Sequence, residues 1–158
     1  MKFVSRDDRA RLNEARDTKG RIRLSLELAE ARLRQAEMLT PLQRYDEASA
    51  QLGSYQGLIE DAFRFLQERG KNDDKARDLY KRIELTLRAH SSRIEALRRT
   101  TPYEYAGNLK DLLTYLRDAR TRALNTFYGD TVLREEPPAT GEAATKKPAS
   151  EPQKTTQP

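Results

Sequence analysis

Residues 31–48 read ARLRQAEMLTPLQRYDEA, and the Thr40-Pro41 step at their centre decides the fold. Upstream of it, apolar or small residues recur at Leu12, Ala15, Ile22, Leu26, Ala29, Leu33 and Ala36. The steps alternate between three and four, with Lys19 in the one vacant slot. That is the seam of an amphipathic helix packed closely on a neighbour. Ser5, three residues ahead of Asp8, suits its N-cap, so the pattern predicts one helix over about 6–39. Pro41 lacks an N–H and pushes Thr40 out of the α region, which ends that helix. The same step starts the next: Thr40 is the expected N-cap, Pro41 the first position, and Gln43 completes a capping box. A connection this short favours an antiparallel hairpin.

The second helix, about 41–69, carries its seam on Tyr45, Ala48, Leu52, Tyr55, Ile59, Ala62 and Leu66, with Gly70 as its C′ residue. Gly53 and Gly57 sit in its middle, a pair that reads as a place of close helix approach. Asn72 is the expected cap of a third helix, about 73–100, with Asp73 and Asp74 in its first turn. Its seam is Ala76, Tyr80, Ile83, Leu87, His90, Ile94 and Leu97. Thr101-Pro102, with Glu104 behind it, repeats the turn signal. A fourth helix, about 102–128, runs on Ala106, Leu109, Leu113, Leu116, Ala123 and Phe127, with Arg120 in the remaining slot and Gly129 closing it.

Sliding the chain by 61 residues gives 12 identities over 52 aligned positions without a gap. Ala15-Arg16-Asp17 falls on Ala76-Arg77-Asp78, Arg21-Ile22 on Arg82-Ile83, Arg32 on Arg93 and Thr40-Pro41 on Thr101-Pro102. Shared heptad phase aligns leucines by itself, but it does not force the Ala-Arg-Asp and Thr-Pro matches. The expectation is an all-α fold: an antiparallel four-helix bundle over residues 1–134, made of two similar helical hairpins. From Glu135 the composition turns to Pro, Ala, Thr, Glu and Lys. Residues 135–158 therefore read as a disordered tail, with no apolar group to set against chain entropy.

Composition narrows the chemistry. Hydrophobic residues make up 36% and charged residues 35%, the balance of helices with broad solvated faces. The absence of Cys excludes disulfides, thiolate catalysis and Cys-bound zinc. No apolar run nears the roughly 20 residues of a membrane span. The N-terminus has no signal-peptide core, so the chain as written is cytoplasmic, or exported if Met1 stands where a signal was removed.

The single histidine, His90, lies on a seam with Leu87 three residues before it. A di-metal Glu-x-x-His motif is thus missing, and no seam carries an acid. No phosphate-binding Gly-rich loop occurs. Neither catalytic residues, metal nor cofactor are expected.

The net charge is +5, of which the tail's four acids and three lysines contribute −1, leaving +6 for residues 1–134. Much of the Arg is matched by acids at i,i+4, as in Asp17–Arg21, Glu30–Arg34, Asp78–Arg82, Glu84–Arg88 and Asp118–Arg122. Arg93, Arg98 and Arg99 beside Tyr103 and Tyr105 form the candidate polyanion patch. Lys19 and Arg120, at one level with Glu60 and Asp61, read as long side chains passing the core to meet acids. Leu24, Leu28, Phe63, Phe65, Leu85, Leu112 and Tyr115 lie off the seams. Phe65 and Tyr115 are the candidate interaction surface. The expected function is non-enzymatic, through contact with another protein or with itself. An Arg-dependent binder of nucleic acid or another polyanion is the second reading.

Overall fold

A computed structural model of the chain describes residues 1–69 and 74–132. Five helices are present among them: α1 (Arg6–Glu14), α2 (Thr18–Leu39), α3 (Tyr45–Arg69), α4 (Asp74–Thr100) and α5 (Tyr103–Val132). The predicted caps at Gly70 and Asn72 and the predicted tail, 135–158, lie outside the described residues. None of the helices is long and apolar enough to cross a membrane.

The fold is all-helical, and it corrects the expected single helix over 6–39. The chain leaves the helix at Ala15 (ψ 122°), and Asp17 (φ −122°, ψ 156°) opens α2 as its N-cap, accepting from the Gly20 N–H. Arg21 spans the joint. Its guanidinium donates to the Leu12 carbonyl (3.4 Å) and to Asn13 Oδ1 (3.2 Å), satisfying acceptors at the open end of α1. Asp17 therefore caps a helix rather than pairing with Arg21. The Ser5 cap is as expected, its hydroxyl accepting from the Asp8 N–H at 3.1 Å.

The two Thr-Pro steps also differ from expectation. Thr40 is still in the α region (φ −60°, ψ −47°), and its hydroxyl donates to the Ala36 carbonyl at 2.7 Å. It closes α2 instead of capping α3. Thr101 makes the same bond, 2.7 Å to Leu97 O. α3 begins later, at Tyr45, after a turn in which Gln43 takes φ 59° and the Arg44 N–H returns to Leu39 O (3.2 Å). Closing α2 with the threonine hydroxyl keeps Thr40 helical in spite of Pro41. Gly129 lies within α5, which runs on to Val132.

α2 lies along α3 and α4 along α5. α2 also contacts α4, α3 contacts α5, and α1 rests on α2. The seams supply much of the core: Ile22, Ala29, Leu33, Ala36, Tyr55, Ile59, Ala62 and Leu66 of α2 and α3, and Ile83, Leu87, Ile94, Leu116 and Ala123 of α4 and α5, are buried in one cluster. Gly53 and Gly57 admit a different neighbour from the helix expected. The carbonyls of Met1 and Phe3 occupy the space a Cβ would fill at each, and the Phe3 N–H donates to Gly53 O at 3.3 Å. Residues 1–3 thus lie against α3, with Lys2 reaching Glu60 (2.8 Å).

Candidate functional site

The most connected polar cluster ties three helices together. His90 comes from the α4 seam and is buried; its ring contacts Tyr55 of α3 and Glu30 of α2. The Tyr55 hydroxyl stands 3.0 Å from His90 Nδ1, and His90 Nε2 stands 2.8 Å from Glu30 Oε2. Arg93, one turn beyond His90, donates to both Glu30 oxygens (2.9 and 2.8 Å) and to both oxygens of Glu37 (2.8 and 2.6 Å). Arg34 adds a 2.9 Å bond to Glu30. Glu30 and Glu37 are seven apart on α2, so one arginine reaches both.

The electrostatics fix the protons. Burial alone raises the Glu30 carboxyl, but bonds from Arg93 and Arg34 outweigh it and hold the group at about 2. Burial lowers the His90 pKa, against the pull of Glu30. Near neutrality the imidazole is therefore uncharged; it donates Nε2–H to the Glu30 carboxylate and accepts at Nδ1 from Tyr55. Burial pushes the Tyr55 hydroxyl above its ordinary value, and the bond to Glu37 raises Arg93. A carboxylate so stabilised is a weak base. The cluster's chemistry is positional: directed bonds set the register of α2, α3 and α4. A shallow groove of about 590 Å³ reaches Glu30 and His90 from outside, walled by Arg23, Glu27, Arg34, Arg82 and Thr86.

Three further acids, off the seams, are buried, and each is held by arginine. Asp8 takes Arg32 at 2.7 Å, Asp61 takes Arg21 at 3.0 Å and Arg64 at 2.8 Å, and Glu84 takes Arg88 at 3.0 Å and Arg120 at 3.2 Å. Arg120 thus passes the core to meet an acid, though the acid is Glu84. Lys19 instead stays exposed, because the joint at 15–17 resets the helical phase before it.

The candidate polyanion patch divides. Arg93 is committed to Glu30 and Glu37, while Arg98 and Arg99 lie 2.6 and 3.6 Å from Glu95. Tyr103 is 95% exposed, whereas Tyr105 packs against Tyr45 with ring centroids 5.2 Å apart. Phe65 and Tyr115 are half-buried against the core. The Arg21 guanidinium covers Phe65 at 4.3 Å, and Tyr115 shares a small pocket with Glu60, Phe63 and Arg122.

Sequence reasoning missed Glu30 and Tyr55 as partners of His90, and Glu37 as a partner of Arg93. The available signal was the seven-residue spacing of the two glutamates opposite His90 and Arg93. It also missed the exposed apolar side chains where the helix pairs turn: Met38 and Leu42, each 64% exposed, on the α2–α3 turn, with Tyr103 at the start of α5. The Tyr45–Tyr105 contact brings these two turns together at one end of the molecule. No family model, curated protein or solved structure matches the chain.

Proposed function

We propose that the chain is a non-enzymatic helical protein: an antiparallel four-helix bundle of two similar hairpins that acts by contact with another protein surface, first of all a second copy of itself. The bundle reading is supported by the pairing of α2 with α3 and α4 with α5, and by the matching hydroxyl bonds of Thr40 and Thr101, 61 residues apart. The observation that carries the functional reading is the turn end. Met38, Leu42 and Tyr103 project there beside the Tyr45–Tyr105 pair. Scattered exposed apolar residues need no explanation; three large ones at the end where the two turns meet favour a surface that binds a partner.

Sedimentation velocity over a concentration series tests this. Reversible association is expected, and it is lost in a Leu42→Ser/Tyr103→Ser double variant whose melting temperature is unchanged. A chain that stays monomeric up to its solubility limit, or association untouched by the double variant, contradicts the reading. Phe65→Ser is the comparison: it uncovers the Arg21 stack and lowers stability rather than association alone.

A further inference from the structure

The joint that splits the expected first helix also builds a groove. It lies between the start of α2 and the first turns of α4, encloses about 660 Å³, and is walled by Arg16, Asp17, Thr18 and Lys19 on one side and Lys75, Asp78, Leu79 and Arg82 on the other. These two walls are the segments that the 61-residue shift superposes, the surroundings of Ala15-Arg16-Asp17 and of Ala76-Arg77-Asp78. The repeated tripeptide that heptad phase does not account for thus comes to one place from both halves of the chain.

The groove gathers several cations on one concave surface. Arginine after arginine is spent on a carboxylate, as with Arg21, Arg32, Arg88, Arg93 and Arg120. Among the described residues, Arg16, Lys19 and Arg82 form no ion pair, and all three are exposed on the walls of one concave surface. Lys75 adds a fourth cation. Asp17, which accepts from the Gly20 N–H (3.3 Å), and Asp78 both keep their negative charge, so the cations lining the walls still outnumber the acids. Like charges held together in a cleft raise the local potential and favour a multiply charged anion over a single one. Arg supplies paired N–H donors matched to phosphoryl oxygens, and Lys supplies a point charge beside them.

We propose that this groove binds a small, multiply charged oxyanion of the phosphate-ester or pyrophosphate class, with Arg16, Lys19 and Arg82 as its main contacts. The site is separate from the turn end and independent of the role assigned to it.

Isothermal titration of the full chain with inorganic pyrophosphate, at low ionic strength, tests the assignment. Saturable one-to-one binding is expected, and it weakens as salt is raised. Arg82→Gln and Lys19→Gln each weaken it about five-fold or more, the loss of one charge-assisted contact, with melting temperature unchanged. Arg117→Gln, an exposed cation on α5 outside the groove, leaves the affinity as it was. A short oligonucleotide bound with the same dependence on Arg82 identifies a polynucleotide phosphate, rather than a free oxyanion, as the source of the ligand. No saturable heat with pyrophosphate, or an equal loss from Arg117→Gln, overturns the proposal, because the attraction is then absent or merely that of net charge.

Discussion

Ala15-Arg16-Asp17 and Ala76-Arg77-Asp78 are the same tripeptide, yet the chain breaks at the first and stays helical through the second. The difference lies in the three residues after each. Asp17 is succeeded by Thr18, Lys19 and Gly20; a Cβ at position 20 would stand 2.5 Å from Asp17 Oδ1, so the glycine leaves room for the carboxylate to cap α2. After Asp78 come Leu79 and Tyr80, both buried in the core, and Lys81 where the glycine would be. Burial of two side chains holds α4 continuous, whereas their exposed or half-buried counterparts leave the backbone free to turn. A repeated sequence therefore sets the options, and the neighbouring residues select between them.

Proline separates the two sites most strongly. Leu79→Pro removes an interior helical hydrogen bond and a core contact, and is expected to cost about 3 kcal/mol or more in denaturant unfolding. Thr18→Pro, at the equivalent position, falls on the first residue of α2 behind an extended Asp17 and is expected to change stability by less than about 0.5 kcal/mol. Equal losses mean that residues 6–39 form one helix after all.

The polar cross-link sharpens the comparison in another way, since the 61-residue shift places Ala29 against His90 and Leu116 against Tyr55. Only the second half of the chain carries a histidine, and its partner Glu30 comes from the first, so the acid response belongs to the cross-link between the halves. His90 and Glu30 both have folded pKa values below their unfolded ones, 6.5 and 4.5, so the unfolded chain binds protons more readily. Stability falls as pH drops below about 6.5 and falls again from about 4.5 towards 2. Melting curves of His90→Leu should lose the upper step and keep the lower.

A smaller contrast concerns the two aspartates. Asp17→Ala removes a cap and is expected to cost about 1 kcal/mol, while Asp78→Ala, exposed on a continuous helix, stays within about 0.5 kcal/mol. Smallest is the turn. Gln43→Gly relieves a left-handed residue and should stabilise by about 1 kcal/mol or less; Glu104→Gly, its helical counterpart, should lose a similar amount.

The all-helical class and many of the buried positions were legible in the sequence because seam positions obey a simple period. Ile22, Leu33, Ile59, Leu66, Ile83, Ile94 and Leu116 are buried as the stripes require. The joint was not legible, because Ala15 and Lys19 keep the heptad phase approximately and the capping role of Asp17 depends on the absent Cβ of Gly20. Nor were the cross-helix partners. A periodic stripe says which face turns inward but not which acid on one helix lies opposite which arginine on another. Glu84 illustrates this: it is buried although it is off the seam, because Arg88 and Arg120 meet over it. The turn-end patch escaped for a related reason, since apolar residues in turns carry no period.

Amide hydrogen exchange tests the joint, on which both the comparison and the groove depend, more directly than any substitution. The amides of Asp17, Thr18 and Lys19 should exchange near the rate of an open chain. Those of Asp78, Leu79 and Tyr80, inside α4, should be protected by orders of magnitude. Equal protection at the two sets contradicts the account, because the first helix is then unbroken and the groove has lost one of its walls.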